Sequence, residues 1–214
     1  MKLEAHHPMF ITFEGLDLSG KSTQVALLME RLTRSGIENL VLRDPGGTAI
    51  GERIRSILLD RKSLDMSDLT ELFLFSASRS QLVKEIITPA LMRGTIVVAD
   101  RFYDSTTAYQ GAGRGISLDA IATINRVAAE GLVPDITYFV DVPVEELEQR
   151  MIRQKKSADR MEMSGREFYG RVREGYLKLA RSNSRFEIID GSLAIEEIHK
   201  IVWSRFEKEY AAHK

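Results

Sequence analysis

The sequence predicts an α/β protein, a five-stranded parallel sheet flanked by helices on both faces and carrying a short lid. Three observations lead there. Short apolar runs alternate with segments of helical period along the chain, a glycine-rich GxxxxGK[ST] pattern joins the first run to the first helix, and a carboxylate-arginine pair follows the third run.

The first run, Met9–Glu14, reads as a short buried strand. Gly15-Leu16-Asp17-Leu18-Ser19-Gly20-Lys21-Ser22 follows and fits the phosphate-binding P-loop, with Thr23 next in line. Its glycines let backbone N–H groups turn toward phosphate oxygens, Lys21 can reach the β/γ-phosphates, and Ser22 can offer a hydroxyl to Mg²⁺. Gly15 through Thr23 are therefore the expected ATP- or GTP-binding residues, at the N-terminus of a helix whose apolar residues recur at helical spacing. A chance match in a surface turn is the plain alternative, and the flanking strand and helix weigh against it.

Further strands are expected at Asn39–Arg43, Thr95–Ala99, Ile136–Asp141 and Phe186–Asp190. A long helix is expected from Leu69 to Met92, ending before Arg93-Gly94. Its stripe of Leu69, Leu72, Phe73, Ser76, Leu82, Val83, Ile86 and Ile87 is expected in the core. Another helix is expected at Leu118–Ala129. The stretch from Arg150 to Gly165 is polar, basic and poor in apolar anchors, so it reads either as a solvated helix face or as a lid over phosphates.

A chain of 214 residues suits one domain, 1–214, with the lid at approximately 150–165. The net charge of −1 offers no general basic field, so no nucleic-acid partner is expected. No apolar run reaches membrane-spanning length and the first residues lack the apolar region of a signal peptide, so a cytoplasmic protein with no membrane partner is expected. The chain has no cysteine, which leaves no disulfide framework or thiolate metal site and is compatible with a reducing compartment.

Asp100, at the end of the third run, stands where an acid beside a P-loop holds Mg²⁺, so Ser22 and Asp100 are the expected metal residues. Arg101 offers a planar fork suited to a second phosphate. Two facing phosphate sites imply phosphoryl transfer. A surface ion pair is the alternative for Asp100-Arg101 alone, and the following Ser105-Thr106-Thr107-Ala108-Tyr109-Gln110-Gly111 counts against it.

At this point the chain resembles the thymidylate kinase family, whose members share a P-loop kinase fold and pass the γ-phosphate of ATP to deoxythymidine monophosphate (dTMP). The resemblance rests on Phe13-Glu14-Gly15-Leu16-Asp17, on Arg43-Asp44-Pro45-Gly46-Gly47-Thr48 with Gly51-Glu52 and Arg55, and on Glu71-Leu72-Phe73-Leu74-Phe75 with Arg79. It continues through Asp100-Arg101-Phe102, Ser105-Thr106, Ala108-Tyr109-Gln110-Gly111, Arg114-Gly115, Pro134-Asp135 and Asp159-Arg160, nearly the whole chain. By resemblance, Phe75 stacks on thymine, Arg79 bonds its carbonyl edge, Thr106 and Gln110 add further base-edge contacts, and Ser105 is a further expected dTMP-binding residue. Tyr109 fills the space beside the sugar, Arg101 holds the acceptor phosphate, Asp17 serves the sugar hydroxyl or the acceptor-side charges, and Arg43 adds to the phosphate site. Taken alone, Phe75 reads more readily as a core aromatic than as a ligand platform, Tyr109 could pack against the sheet, and Arg79 could be a surface charge. The resemblance also implies Mg²⁺ as cofactor and a homodimer through helices.

The acceptor of such a reaction needs no dedicated base, because a phosphate monoester is mostly dianionic at neutral pH, its second pKa being about 6. Alignment and charge neutralisation by Lys21, Mg²⁺ and arginines remain. Relatives carry an arginine for the transferring phosphate either in the P-loop or in the lid. Leu18 and Ser19 stand at the variable P-loop positions, which directs the expectation to the lid. Lining up Asp159-Arg160 puts Lys155 at the usual lid-arginine position, with Arg153 two residues away. The expected catalytic set is thus Lys21, Asp17, Arg101 and Arg153 or Lys155. A related kinase with another pyrimidine acceptor stays open. So does a GTP switch, since Asp44-Pro45-Gly46-Gly47 fits DxxG, but no NKxD-like segment is present to read guanine.

Overall fold

Strand β1 (Phe10–Glu14) reads Phe-Ile-Thr-Phe-Glu, and all of it is buried, as befits the middle of a sheet covered on both faces. The computed structural model describes residues 8–154, 160–161 and 164–212. β2 (Asn39–Arg43), β3 (Ile96–Asp100), β4 (Ile136–Asp141) and β5 (Phe186–Asp190) join β1 in one parallel sheet ordered β2-β3-β1-β4-β5. Side chains alternate across such a strand, so Ile11 and Phe13 face one way and Phe10, Thr12 and Glu14 the other.

The Ile11 and Phe13 face meets helix α1 (Lys21–Arg34) and the C-terminal helix, through Leu28 and Leu32 on one and Val202 and Phe206 on the other. On the opposite face, Phe10, Val97 and Ala99 pack against Leu82, Val83, Ile87 and Phe102. Phe139 packs there with Val172 and Tyr176. That side is built by α2 (Ala49–Leu59), α3 (Asp68–Leu82), α4 (Thr88–Met92), α5 (Tyr103–Thr106), α6 (Leu118–Ala128), α7 (Val144–Gln154) and α8 (Arg166–Ser182), while the C-terminal helix is α9 (Ile195–Ala212).

The strands lie within a residue of their expected bounds. β3 runs one residue later than expected, so Asp100 pairs in register with Phe13 of β1 and Arg43 of β2. The long helix expected from Leu69 to Met92 is α3 and α4 joined by a π-helical turn at Val83–Ile87. Pro89 gives the reason: it lacks an N–H and crowds the preceding turn, and the wider winding just before it relieves both. The stripe expected in the core is divided. Leu72, Leu82, Val83 and Ile87 are buried, whereas Leu69 and Phe73 are 55% and 57% exposed.

β1, β3 and β4 all end at the crevice where the chain's path across the sheet reverses, the place an open α/β sheet presents to ligands. A second π-helical turn, Thr107–Gly113, follows α5 and brings further side chains to that edge.

Candidate active site

The loop after β1 has the backbone a phosphate cradle needs. Gly15 has φ 139°, and a Cβ there would sit 2.5 Å from Val140 O of β4, so a side chain is excluded by conformation and by space. Gly20 caps α1 with φ 102°. Leu18 carries φ 59°, a left-handed conformation costing on the order of 1–2 kcal/mol for a residue with a Cβ. Leu16 and Ser19 are buried, and Thr23 is exposed on the first turn of α1.

Lys21 Nζ donates to Leu16 O at 2.6 Å and Gly15 O at 3.1 Å. Burial, then Arg101, push its pKa down to about 8 against the pull of Asp17, Asp100 and Glu14. Ser22 Oγ donates to Asp100 Oδ2 at 2.9 Å. The two oxygens expected to hold Mg²⁺ therefore lie side by side, a donor set that fits a hard cation. Arg150 of α7 reaches the same loop, its Nη1 donating to Leu18 O and its Nη2 to Gly191 O, each at 3.0 Å.

At the end of β3, Arg101 has φ 74°, again left-handed for a residue with a side chain. That turn throws its guanidinium back across β1. Nη2 donates to Asp17 Oδ1 at 2.7 Å and Tyr109 OH at 3.3 Å, and Nη1 to Ser105 Oγ at 3.1 Å and Tyr176 OH at 3.3 Å. Burial opposes the charge on Asp17, but Arg101 and Lys21 outweigh it and hold the carboxyl below its ordinary range.

A single cavity is lined by Asp17, Phe75, Arg79, Arg101, Ser105, Thr106, Tyr109 and Gln110, every expected acceptor-side residue except Arg43. Ser105, Thr106, Tyr109 and Gln110 share one helical face at i, i+1, i+4 and i+5, and Phe75 and Arg79 lie one turn apart on α3. Arg43 lies outside. It shares the exposed face of edge strand β2 with Val41, and its Nη2 donates to Glu52 at 2.9 Å. Arg55 of α2 lines the cavity instead, with Asp44, Pro45, Leu59 and Met161.

Arg79 is fixed by its neighbours: Nε donates to Asp44 Oδ2 at 2.6 Å and Nη2 to Thr106 Oγ1 at 2.9 Å. Sequence reasoning assigned no role to Glu14, Glu71 or Tyr176, and counted Arg150 only among the basic residues of the lid. Glu14 Oε1 accepts from Phe102 N at 2.8 Å, and Oε2 from Ser105 Oγ at 2.6 Å and Tyr176 OH at 2.8 Å. Burial, then Asp104, push its carboxyl up to about 7, against Arg101 and the bonds from Ser105 and Tyr176. A carboxylate inside an otherwise apolar strand was the signal available for it. Tyr176 carries no such mark, since an aromatic on α8 reads as core.

Of the lid candidates, Arg153 is exposed on α7 and donates to Gln149 at 3.2 Å. Lys155 lies outside the described residues. Arg160 is buried, donating from Nε to Leu58 O at 2.7 Å and pairing with Glu71 at 2.6 Å.

Comparison with known proteins gives a consistent result. The family model described as thymidylate kinase matches residues 13–202. A thymidylate kinase of Kosmotoga olearia is 49% identical over 199 residues, covering 92% of this chain and 95% of the relative. One of Chlorobaculum tepidum is 48% identical over 205 residues, covering 92% and 95%. Among solved structures, thymidylate kinase from Ehrlichia chaffeensis superposes with a TM-score of 0.75 at 37% identity, covering 94% of this chain and 98% of that one.

Proposed function

The chain belongs to the thymidylate kinase family and phosphorylates dTMP at the expense of ATP, and from that premise we propose that the loop and the cavity meeting at Asp17 are its donor and acceptor sites. The supporting observation is the position of Asp17. It is bonded to Arg101 on the cavity side and lies in the field of Lys21 on the loop side, so two cations stand across one carboxylate.

On this reading residues 15–23 cradle ATP, with N–H groups at the start of α1 facing its phosphates. Ser22 and Asp100 hold Mg²⁺, which neutralises charge on the donor phosphates when bound. Phe75 stacks on thymine, while Arg79, Thr106 and Gln110 meet its edges and Tyr109 packs beside the sugar. Arg101, with Ser105 behind it, binds the acceptor phosphate, and Arg55 in the cavity wall suits that site better than Arg43. Asp17 holds Arg101 in place and keeps it from closing on Lys21. The dianionic acceptor attacks unaided by a base, and the cations carry catalysis, each electrostatic contact of this kind being worth on the order of 10²–10³ in rate.

The remaining cation comes from the lid, Arg153 or Lys155, in a single domain spanning the chain. No described helix is long and apolar enough to cross a membrane, and we place the enzyme in the cytoplasm as a homodimer.

A panel of nucleoside monophosphates with Mg·ATP tests the acceptor assignment. dTMP should be the best acceptor, deoxyuridine monophosphate roughly 10–200-fold poorer for want of one methyl, and purines inactive. Arg101→Ala should lose dTMP affinity in calorimetry while ATP affinity is retained. Unchanged dTMP binding in that variant would refute the placement of the acceptor phosphate.

A further inference from the structure

Glu71 is 1% exposed and has three side-chain partners. Its Oε1 accepts from Gln110 Nε2 at 2.8 Å and Arg114 Nε at 3.2 Å. Its Oε2 accepts from Arg114 Nη2 at 3.2 Å and pairs with Arg160 at 2.6 Å. It also lies on the same face of α3 as Phe75 and Arg79, at i, i+4 and i+8, so the three form one strip along the cavity side of that helix.

The two arginines keep this carboxyl ionised. Burial opposes the charge, but Arg114, Gln110 and Arg160 together hold the group below its ordinary range. An ionised carboxylate can only accept hydrogen bonds. The end of the Gln110 amide that faces it must therefore be the NH₂, which leaves the carbonyl oxygen for the cavity that Gln110 lines. An oxygen there complements a ring N–H. It repels a ring nitrogen that carries a lone pair.

We propose that Glu71 is a specificity-positioning residue: by locking the Gln110 amide with its oxygen toward the acceptor base, it makes the site accept an imide N3–H, as in thymine or uracil, and reject cytosine. The proposal rests on the cavity being the acceptor site. Glu71 touches no substrate and acts through Gln110 alone. Arg114 and Arg160 define what a neutral substitute would do, because they claim the only acceptor oxygen of a glutamine at position 71. Its NH₂ then faces Gln110, whose amide turns over and presents NH₂ to the base.

Glu71→Gln should thus lower kcat/KM for dTMP and raise it for deoxycytidine monophosphate, reducing the ratio roughly 10–100-fold with the KM for ATP unchanged. A proportional fall for both acceptors, with the ratio intact, overturns the proposal by making Glu71 a packing residue only. A second measurement needs no variant at Glu71. In the wild-type protein without nucleotide, the Gln110 side-chain NH₂ should exchange slowly with water by ¹⁵N NMR and shift little when dTMP is added. An NH₂ that exchanges freely until dTMP arrives overturns the proposal. Failure of the acceptor-site reading has a different mark, namely Gln110→Leu leaving the KM for dTMP unchanged.

Discussion

Lys21 donates to two carbonyls of its own loop, and burial with Arg101 lowers its pKa to about 8. Bound triphosphate supplies negative charge that restores the ammonium form. ATP binding near pH 8.5 should therefore take up a fraction of a proton, read from calorimetry in buffers of differing ionisation enthalpy, and Lys21→Met should abolish the uptake. Glu14 makes the opposite kind of prediction. Its pKa rises from 4.5 to about 7, so the folded state holds this proton more tightly than the unfolded chain. Its contribution to stability is fully present below pH 4.5 and is lost as pH rises through 7. Glu14→Gln should flatten that decline in urea unfolding between pH 5 and 8, and an unchanged slope would place the titration elsewhere. Neither Glu14 nor Arg150 announced a partner in the sequence, because the contacts span 162 residues to Tyr176 and 132 to Leu18. Gly15 to Ser22 and the Asp100-Arg101 pair sit in short segments that local pattern and position at a strand end make readable, whereas the expectations for Ser105, Thr106, Tyr109 and Gln110 came from the resemblance to the family. Arg43 lies outside the cavity for a local reason: the alternation of β2 turns it to the same open face as Val41.

Elements were easier to read than contacts, since a buried parallel strand needs a largely apolar run, as β1, β3 and β4 have. The two π-helical turns were not legible, because periodicity in short windows does not separate i+5 from i+4 winding. The second turn has a structural use. α8 approaches it so closely that a Cβ on Gly175 would lie 2.7 Å from Ala112 Cβ and 3.3 Å from Ala108 Cα. Gly175→Val should cost about 1–3 kcal/mol in unfolding free energy and raise the KM for dTMP, since Tyr109 and Gln110 ride on the displaced turn. A loss of stability with dTMP binding untouched would uncouple α8 from the acceptor site. For the lid, alanine at Arg153 or at Lys155 should lower kcat far more than it weakens either substrate. Only one of the two should do so, and equal losses would argue against a single lid cation.

On the scale of the molecule, the division of the α3 stripe bears on assembly. α3 and α6 pack together, and between them they leave Leu69, Phe73, Leu118 and Val127 more than half exposed. A homodimer covering α3 should dissociate in sedimentation when Phe73 becomes Glu, and a wild-type monomer at working concentrations would rule it out. The donor loop raises a separate question of modularity. Val140 O of β4 presses on Gly15, Asp100 of β3 takes the hydroxyl of Ser22, and Arg150 of α7 takes the carbonyl of Leu18. The nucleotide cradle is consequently not portable. Grafting β1, the loop and α1 into another scaffold would carry the motif across without the three distant segments that hold its shape.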